Sequence, residues 1–212
     1  MATVVAVMDG PSWGHNTDVL VVADPARRSL LWVPRDLWCD KLGTRINKAY
    51  ALAGHEGLVG ALAEHGVRAR HGICVRPEGI EAALGEAAFT VPIRERMEFD
   101  YDGWVRFDPP VEVLSGERIH AWVGARTRRP GIPQVRLPDL DRLRRQQELV
   151  AVMIGDGFDF RRFVADGLPV RVSGEMALSE LRQVRWNWSF QTLDDVEPAE
   201  RDGAQVLVRP RD

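Results

Sequence analysis

A short link between two apolar segments constrains the fold more than any other feature of the sequence. Residues 19–23 and 29–33 have the composition of β-strands, and only Asp24-Pro25-Ala26-Arg27-Arg28 separates them. A parallel crossover needs about a dozen residues, so these two strands must pair antiparallel. An earlier apolar segment, Thr3–Met8, is predicted to be a strand that ends at the turn signal Asp9-Gly10-Pro11. The N-terminal region therefore predicts a sheet that contains a hairpin.

Strand-like and helix-like segments alternate along the rest of the chain. The pattern predicts helices at 47–53, 56–64, 78–84, 117–123, 139–154 and 179–184, and strands at 73–75, 89–93 and 205–208. Residues 94–110 and 126–138, which contain Pro and Gly, are predicted to be long loops, and the tail 194–212 begins with an acidic stretch. This alternation, without a linker between domains, indicates a three-layer α/β or α+β domain.

Composition and charge exclude several classes of protein. The 212 residues are 45% apolar and 28% charged, which is typical of a globular chain and excludes dominant disorder. A net charge of −3 argues against a general nucleic-acid binder. No apolar run approaches the roughly 18 residues of a membrane span. As written, the chain is expected to be cytoplasmic, or extracytoplasmic and membrane-anchored if it is part of a longer protein.

Two aspartates border neighbouring strands. Asp9 follows the first predicted strand and Asp18 precedes the second. If these strands are adjacent, both carboxylates lie at one end of the sheet, where they suit Mg²⁺, which takes one or two carboxylates together with phosphate oxygens of a substrate. The alternative is that each aspartate only caps a turn.

Arginines mark two further places. Arg35 follows a predicted strand, at the edge where α/β sheets bind ligands, although a simple surface pair with Asp36 is the alternative. In the helix 139–154, Arg142, Arg145 and Gln146 share one face because they are spaced i, i+3 and i+4. Neighbouring arginines repel each other unless an anion or a carboxylate lies between them. A solvated charged face is the simpler interpretation of this helix.

Several segments, in this order, resemble the LytR-CpsA-Psr family. Asn16-Thr17-Asp18-Val19-Leu20 is similar to its S/T-D-T/S-I-L segment, and Leu31-Trp32-Val33-Pro34-Arg35-Asp36 to its P-R-D motif. Arg45 through Gly54 resembles K-I-N-x-A-Y-x-x-G-G, and 116–123 resembles G-E-x-A-L-x-Y-V. Asp139 through Gln147 is similar to D-x-x-R-I/L-x-R-Q-Q, and 176–181 to D-L-S-x-x-E-L. The resemblance spans residues 3–185.

The resemblance implies a single α/β/α domain over residues 1–212 with a central mixed sheet. It implies a Mg²⁺-dependent phosphotransferase that moves a phospho-glycosyl group from a polyprenyl pyrophosphate to a hydroxyl acceptor, with the lipid in an apolar tunnel near Ala61, Leu62 and Ile80. The implied metal ligands are Asp9 and Asp18. The implied catalytic residues are Asp139, Arg35 and Arg142, and the implied substrate-binding residues are Arg126, Gln146, Arg145, Arg45 and Arg128.

The sequence departs from the family pattern in one motif and leaves other functions open. The family pattern Y-V-R-x-R is here Trp122-Val123-Gly124-Ala125-Arg126, so Gly124 replaces one arginine, unless Arg126 and Arg128 serve together after a register shift. A soluble pyrophosphate hydrolase or tailoring transferase is one alternative. A binding module for lipid pyrophosphates that has lost catalysis is the other.

Overall fold

The computed structural model describes residues 2–10, 14–101, 103–126, 128, 138–164, 170–173 and 187–210. The chain divides into two compact units. The first comprises Met1–Ala83 and Asp159–Asp212, and the second is Leu84–Phe158. The prediction of one domain over the whole chain stays a prediction.

The regular elements follow the chain in alternation. The strands are β1 (Thr3–Met8), β2 (Thr17–Asp24), β3 (Ser29–Trp32), β4 (Trp38–Cys39), β5 (Thr44–Arg45), β6 (His71–Val75), β7 (Phe89–Pro92), β8 (Met97–Asp100), β9 (Trp104–Phe107), β10 (Val111–Leu114), β11 (Val170–Ser173), β12 (Ser189–Thr192), β13 (Glu197–Arg201) and β14 (Ala204–Val208). The α-helices are α1 (Ala49–Glu64), α2 (Pro77–Leu84), α3 (Glu117–Gly124) and α4 (Pro138–Gly155).

A mixed sheet forms the centre of the first unit. Its strand order is β11-β6-β1-β2-β3-β12. β2 pairs antiparallel with β3, as the short link requires, and it also pairs antiparallel with β1. β6 runs parallel to β1, and β12 runs parallel to β3. Apolar side chains of the central strands are buried, including Val4, Ala6, Leu20 and Ile73. The predicted α/β class with a central mixed sheet is confirmed.

Helix α1 is interrupted where the sequence predicts a gap between two helices. Gly54 has φ +61° and ψ −153°, a conformation that side-chain-bearing residues rarely adopt, and Ala53 is also non-helical. After this kink, Ala61 and Leu62 are buried. In α2, Ile80 packs against Ile73, Val75 and Val170. The tunnel expected near these residues stays a prediction.

The second unit contains strands that the sequence analysis missed. Residues 94–110 were expected to be a loop, and this is wrong, because β8 and β9 form an antiparallel hairpin there. Met97 and Phe99 alternate with charged residues, and both pack inside. This alternation is short and lies in a polar segment with Gly103, Pro109 and Pro110, a composition that favours a loop. The carboxylate of the buried Glu98 is paired with Arg96. A second ribbon pairs β7 with β10.

Helices α3 and α4 complete the second unit, close to their predicted positions. Both carry a buried apolar stripe, which includes Ile119 and Trp122 in α3 and Leu143 and Leu149 in α4. The predicted helix 179–184, the segment 176–181 of the family resemblance and most of the loop 126–138 lie outside the described residues. Within the described ranges, no helix combines the length and apolar character needed to cross a bilayer.

Candidate functional site

The first group of predicted site residues lies at one end of the β1–β2 pair, and we call Asp9, Asp18, Arg35, Asp36 and Arg45 the sheet site. Met8 pairs with Thr17 and Val7 with Val19, so Asp18 occupies the register shift between them. Directly after β1, the Asp9 amide donates a hydrogen bond to Asn16 O at 2.9 Å. The backbone therefore brings both aspartates to the same sheet end, as the strand assignment predicts.

Arg35 connects the sheet site to the segment after β3. Its guanidinium donates to the Asp18 carboxylate, and its Nε lies 4.0 Å from Asp36 Oδ1. Arg45 Nε lies 3.8 Å from the same Asp36 oxygen, and its Nη2 donates to Gln205 O at 2.7 Å. These ion pairs are only partly shielded, since the Arg35 and Asp18 side chains are 15% and 23% exposed.

The donor set of the sheet site fits a hard cation with few protein ligands. Within the described ranges, no three His, Cys, Asp or Glu residues form a metal-binding group. Mg²⁺ needs no such cage, because it keeps water and takes one or two carboxylates plus substrate oxygens. Asp9 and Asp18 are the candidate carboxylates, and the imidazole Nδ1 of His15 lies 3.8 Å from Asp9 Oδ1. The magnesium assignment stays a prediction.

The second group lies around the first turns of α4, and Arg126 and Arg128 reach it from the segment after α3. We call Arg126, Arg128, Asp139, Asp141, Arg142 and Arg145 the helix site. Pro138 begins the helix, a position where its missing N–H removes no helical hydrogen bond. Asp139 follows in the first turn, where the helix dipole favours a negative charge. Arg142 Nη2 donates to Asp139 Oδ1 at 2.6 Å, and Arg126 Nη1 lies 3.9 Å from the same oxygen. Asp139 thus holds two predicted anion-binding arginines together.

Asp141, which the sequence analysis overlooked, organises the remaining arginines. Its carboxylate lies 3.5 Å from Arg128 Nη2 and 3.5 Å from Arg145 Nε. Arg128 also contacts Glu95 at 3.0 Å, and Arg144 donates to Asp141 at 3.0 Å. Asp141 lies three and four residues before arginines, so helical spacing could have identified it. Arg144 points to solvent, since its side chain is 44% exposed.

Arg142 and Arg145 are more deeply buried than a solvated face would allow. Neither side chain has measurable exposure, and Gln146 is also buried. Burial lowers the pKa of the Arg145 guanidinium to about 10, so it remains charged at neutral pH. The simple interpretation of α4 as a solvated charged face is therefore wrong for this part of the helix.

Arg145 and Gln146 direct side-chain donors towards α3. The Arg145 guanidinium donates to Trp122 O and Ala125 O, and Gln146 Nε2 donates to Val123 O at 2.9 Å. The Arg145 guanidinium also stacks on the Phe99 ring, 4.4 Å from its centroid. The substrate-binding role predicted for these two residues stays a prediction, as do the roles of Arg45 and Arg128.

Gly124, which stands at an arginine position of the family pattern, lies against an aromatic ring. A Cβ added to Gly124 would be 3.0 Å from Cε2 and 3.4 Å from the hydroxyl oxygen of Tyr101. Tyr101 follows β8, in a segment whose composition favours a loop, so the sequence does not predict this contact. The space beside Gly124 is thus filled by a residue from elsewhere in the second unit.

No family model matches the chain, and no curated protein matches it significantly. Solved structures do match it. TagV of B. subtilis is 16% identical, covers 99% of this chain and 91% of its own, and superposes with a TM-score of 0.66. TagU of B. subtilis is 18% identical over 99% of this chain and 90% of its own, with a TM-score of 0.60. TagT bound to LIIa-WTA is 15% identical over 98% of this chain and 84% of its own, with a TM-score of 0.66.

These three proteins belong to the LytR-CpsA-Psr family. At 15–18% identity, the similarity shows a common fold. The fold that the sequence resemblance implies is therefore confirmed.

Proposed function

We propose that this chain, which has the fold of LytR-CpsA-Psr proteins, is a Mg²⁺-dependent phosphotransferase that acts on a lipid-linked pyrophosphate. The substrate class is supported by TagT, whose solved structure is described as bound to LIIa-WTA. The family motifs that this chain retains, from Asp18 to Gln146, support the same reaction.

The buried pair of Arg142 and Asp139 carries the proposal. Removing a guanidinium and a carboxylate from water costs several kcal/mol per ion, and apolar residues of similar volume often stabilise a fold equally well or better. Arg142 has no exposed surface, and Arg126 approaches the same carboxylate. Guanidinium groups match phosphate oxygens in pairs, and Arg126, with 32% of its side chain exposed, is the member of this group that a phosphate can reach from solvent.

The proposed reaction is an in-line displacement at phosphorus. The acceptor hydroxyl forms a new O–P bond, the bridging P–O bond of the pyrophosphate breaks, and the lipid phosphate leaves with the bridging oxygen. Negative charge accumulates on the transferred group and on the leaving phosphate, and fixed cations stabilise it with little reorganisation. Arg142, Arg126 and Arg35 are the proposed cations. Asp139 is the proposed acceptor of the hydroxyl proton.

Asp9 and Asp18 are the residues that would hold the magnesium ion. Bound Mg²⁺ would neutralise charge on the pyrophosphate oxygens. In the structure, the Arg35 guanidinium forms an ion pair with the Asp18 carboxylate. Arg35 therefore orients a proposed metal ligand and is itself a proposed phosphate ligand.

A hydrolase is the second candidate, because the same charges would stabilise attack by water. The test is to incubate the protein with a polyprenyl pyrophosphate and a sugar hydroxyl acceptor in H₂¹⁸O, with Mg²⁺ or with EDTA, and to analyse products by mass spectrometry. Phosphorylated acceptor without ¹⁸O indicates transfer, whereas ¹⁸O in the released phosphate indicates hydrolysis. Absence of either product with Mg²⁺, together with measurable binding, would favour the non-catalytic binding module instead.

A further inference from the structure

We propose that Arg145 and Gln146 are positioning residues, which hold the C-terminal end of α3 so that Arg126 faces Asp139. This proposal rests on the proposed function, in which Arg126 binds the pyrophosphate. It assigns the two residues a role different from the substrate contacts that the family resemblance implies. We call the set of hydrogen bonds from Arg145 and Gln146 to α3 the clasp.

The clasp satisfies backbone groups that a helix end leaves without partners. The last four carbonyl oxygens of an α-helix have no partner within the helix. Arg145 donates to Trp122 O and Ala125 O, and Gln146 donates to Val123 O at 2.9 Å. In return, Trp122 Nε1 donates to Arg145 O at 2.9 Å. Two consecutive residues of α4 thus fix three carbonyl groups at the end of α3.

The surroundings of Arg145 favour a structural target for its donors. Arg142 and Arg145 are equally buried, but Arg142 donates to a carboxylate whereas Arg145 donates to two backbone carbonyls. The Nε of Arg145 lies 3.5 Å from Asp141. Two rings lie against the guanidinium: the Phe99 centroid is 4.4 Å away and the Trp122 centroid 5.8 Å away. The planar fork of arginine can bind two acceptors at once in a fixed geometry, which lysine cannot do. Arg145 therefore sets the direction of the backbone at Ala125.

Arg126 is the next residue, so the clasp determines where its side chain begins. Arg126 is 32% exposed, and its Nη1 lies 3.9 Å from Asp139 Oδ1. This separation is at the limit of an ion pair, and a small shift of the backbone at Ala125 would break the contact. Arg145, Gln146 and Asp139 all belong to α4. The same helix therefore fixes the backbone before Arg126 and carries the carboxylate that its side chain faces.

The first arm of the test measures the clasp without any ligand. The Ala125 amide donates to Ala121 O at 3.1 Å, so its hydrogen exchange reports on the end of α3. Gln146→Met keeps the side-chain volume and removes one donor. We expect exchange at Ala125 to be about fivefold faster in this variant, the effect of losing about one net hydrogen bond. Gln147→Met makes the same change one position along α4, and should alter the rate by less than about twofold.

The second arm measures the affinity for inorganic pyrophosphate by calorimetry in a double-mutant cycle. Gln146→Met should weaken binding about fivefold in the natural chain. In an Arg126→Ala background it should change the affinity by less than about twofold, because the clasp acts through Arg126. Arg145→Lys, which keeps the charge and loses the fork, should behave like Gln146→Met in both arms.

Two results would overturn the proposal. Unchanged exchange at Ala125 in both Gln146→Met and Arg145→Lys would show that the clasp does not fix the end of α3. If Gln146→Met weakened binding as much in the Arg126→Ala background as in the natural chain, Gln146 would contact the anion independently of Arg126. Wild-type protein that binds no pyrophosphate would contradict the proposed function, and the exchange rates would still decide whether the clasp exists.

Discussion

The sheet site and the helix site both pair arginine with aspartate, but they do so in different surroundings. At the sheet site, the Arg35 and Asp18 side chains keep 15% and 23% of their exposure. At the helix site, Arg142 is completely buried and Asp139 keeps 6%. Partly exposed ion pairs contribute little to stability, whereas removing one partner of a buried pair leaves an uncompensated charge. Substitutions at the helix site should therefore lower both turnover and stability. Substitutions at the sheet site should lower turnover with little loss of stability.

The largest effect is expected for Arg142→Ala. Loss of this buried cation should lower the free energy of unfolding by about 3–5 kcal/mol, because Asp139 loses its 2.6 Å partner. Pyrophosphate turnover should fall roughly ten- to a hundredfold, since each charge-assisted bond to phosphate contributes about 1.5–3 kcal/mol. Urea unfolding and turnover measured on the same preparation check both numbers. Stability equal to that of the natural chain would show that the helix site does not couple function to stability.

Arg35→Ala should affect turnover more than stability. Its partner Asp18 remains partly solvated, so the free energy of unfolding should fall by only about 1–2 kcal/mol. Turnover should nevertheless fall about tenfold or more, because Arg35 is a proposed phosphate ligand. A larger loss of turnover per kcal/mol of lost stability than in Arg142→Ala would support the difference between the two sites. If Arg35→Ala were as unstable as Arg142→Ala and kept its turnover, Arg35 would serve the fold and would not bind phosphate.

Asp9→Asn should change the metal requirement and leave the fold almost intact. The Asp9 side chain is 27% exposed, so its neutralisation should cost less than about 1 kcal/mol. The Mg²⁺ concentration for half-maximal turnover should rise about tenfold, because an amide is a weaker ligand than a carboxylate. A titration with Mg²⁺ from an EDTA-treated sample measures this change. An unchanged Mg²⁺ requirement in both Asp9→Asn and Asp18→Asn would remove the metal from the sheet site.

The smallest effect is expected for Arg144→Ala, the control on the same helix. The Arg144 side chain is 44% exposed. Without it, the Asp141 carboxylate still has ion pairs with Arg128 and Arg145. Stability should change by less than about 0.5 kcal/mol and turnover by less than about twofold. A loss comparable to that of Arg142→Ala would mean that total charge, rather than buried geometry, explains the helix site.

Much of the sheet could be predicted because its signals are local. The five-residue link fixed the antiparallel pairing of β2 and β3, and the apolar run Thr3–Met8 became β1. β11 and β12 were missed, because they pair with β6 and β3 across long stretches of chain, a contact that periodicity does not encode. The β8–β9 hairpin was missed because its strands have only four residues each and lie in a polar segment with Gly and Pro, whose composition favours a loop.

The helix site was only half predictable, for a related reason. Helical spacing placed Arg142 and Gln146 on one face of α4, and α4 does bury both. Spacing within one helix could not show that Gln146 donates to Val123 of another helix. Nor could it show that Tyr101 fills the space beside Gly124. Tertiary contacts decide whether a polar side chain faces a ligand or the protein.

The most direct test of the account is the affinity for geranyl pyrophosphate, measured by calorimetry with Mg²⁺ present. We expect the natural chain and Arg144→Ala to bind it equally. Arg142→Ala should bind roughly ten- to a hundredfold more weakly, at a temperature where all three proteins are folded. Equal affinity of Arg142→Ala and the natural chain would contradict the account, because the buried arginine would then serve the fold and not the pyrophosphate.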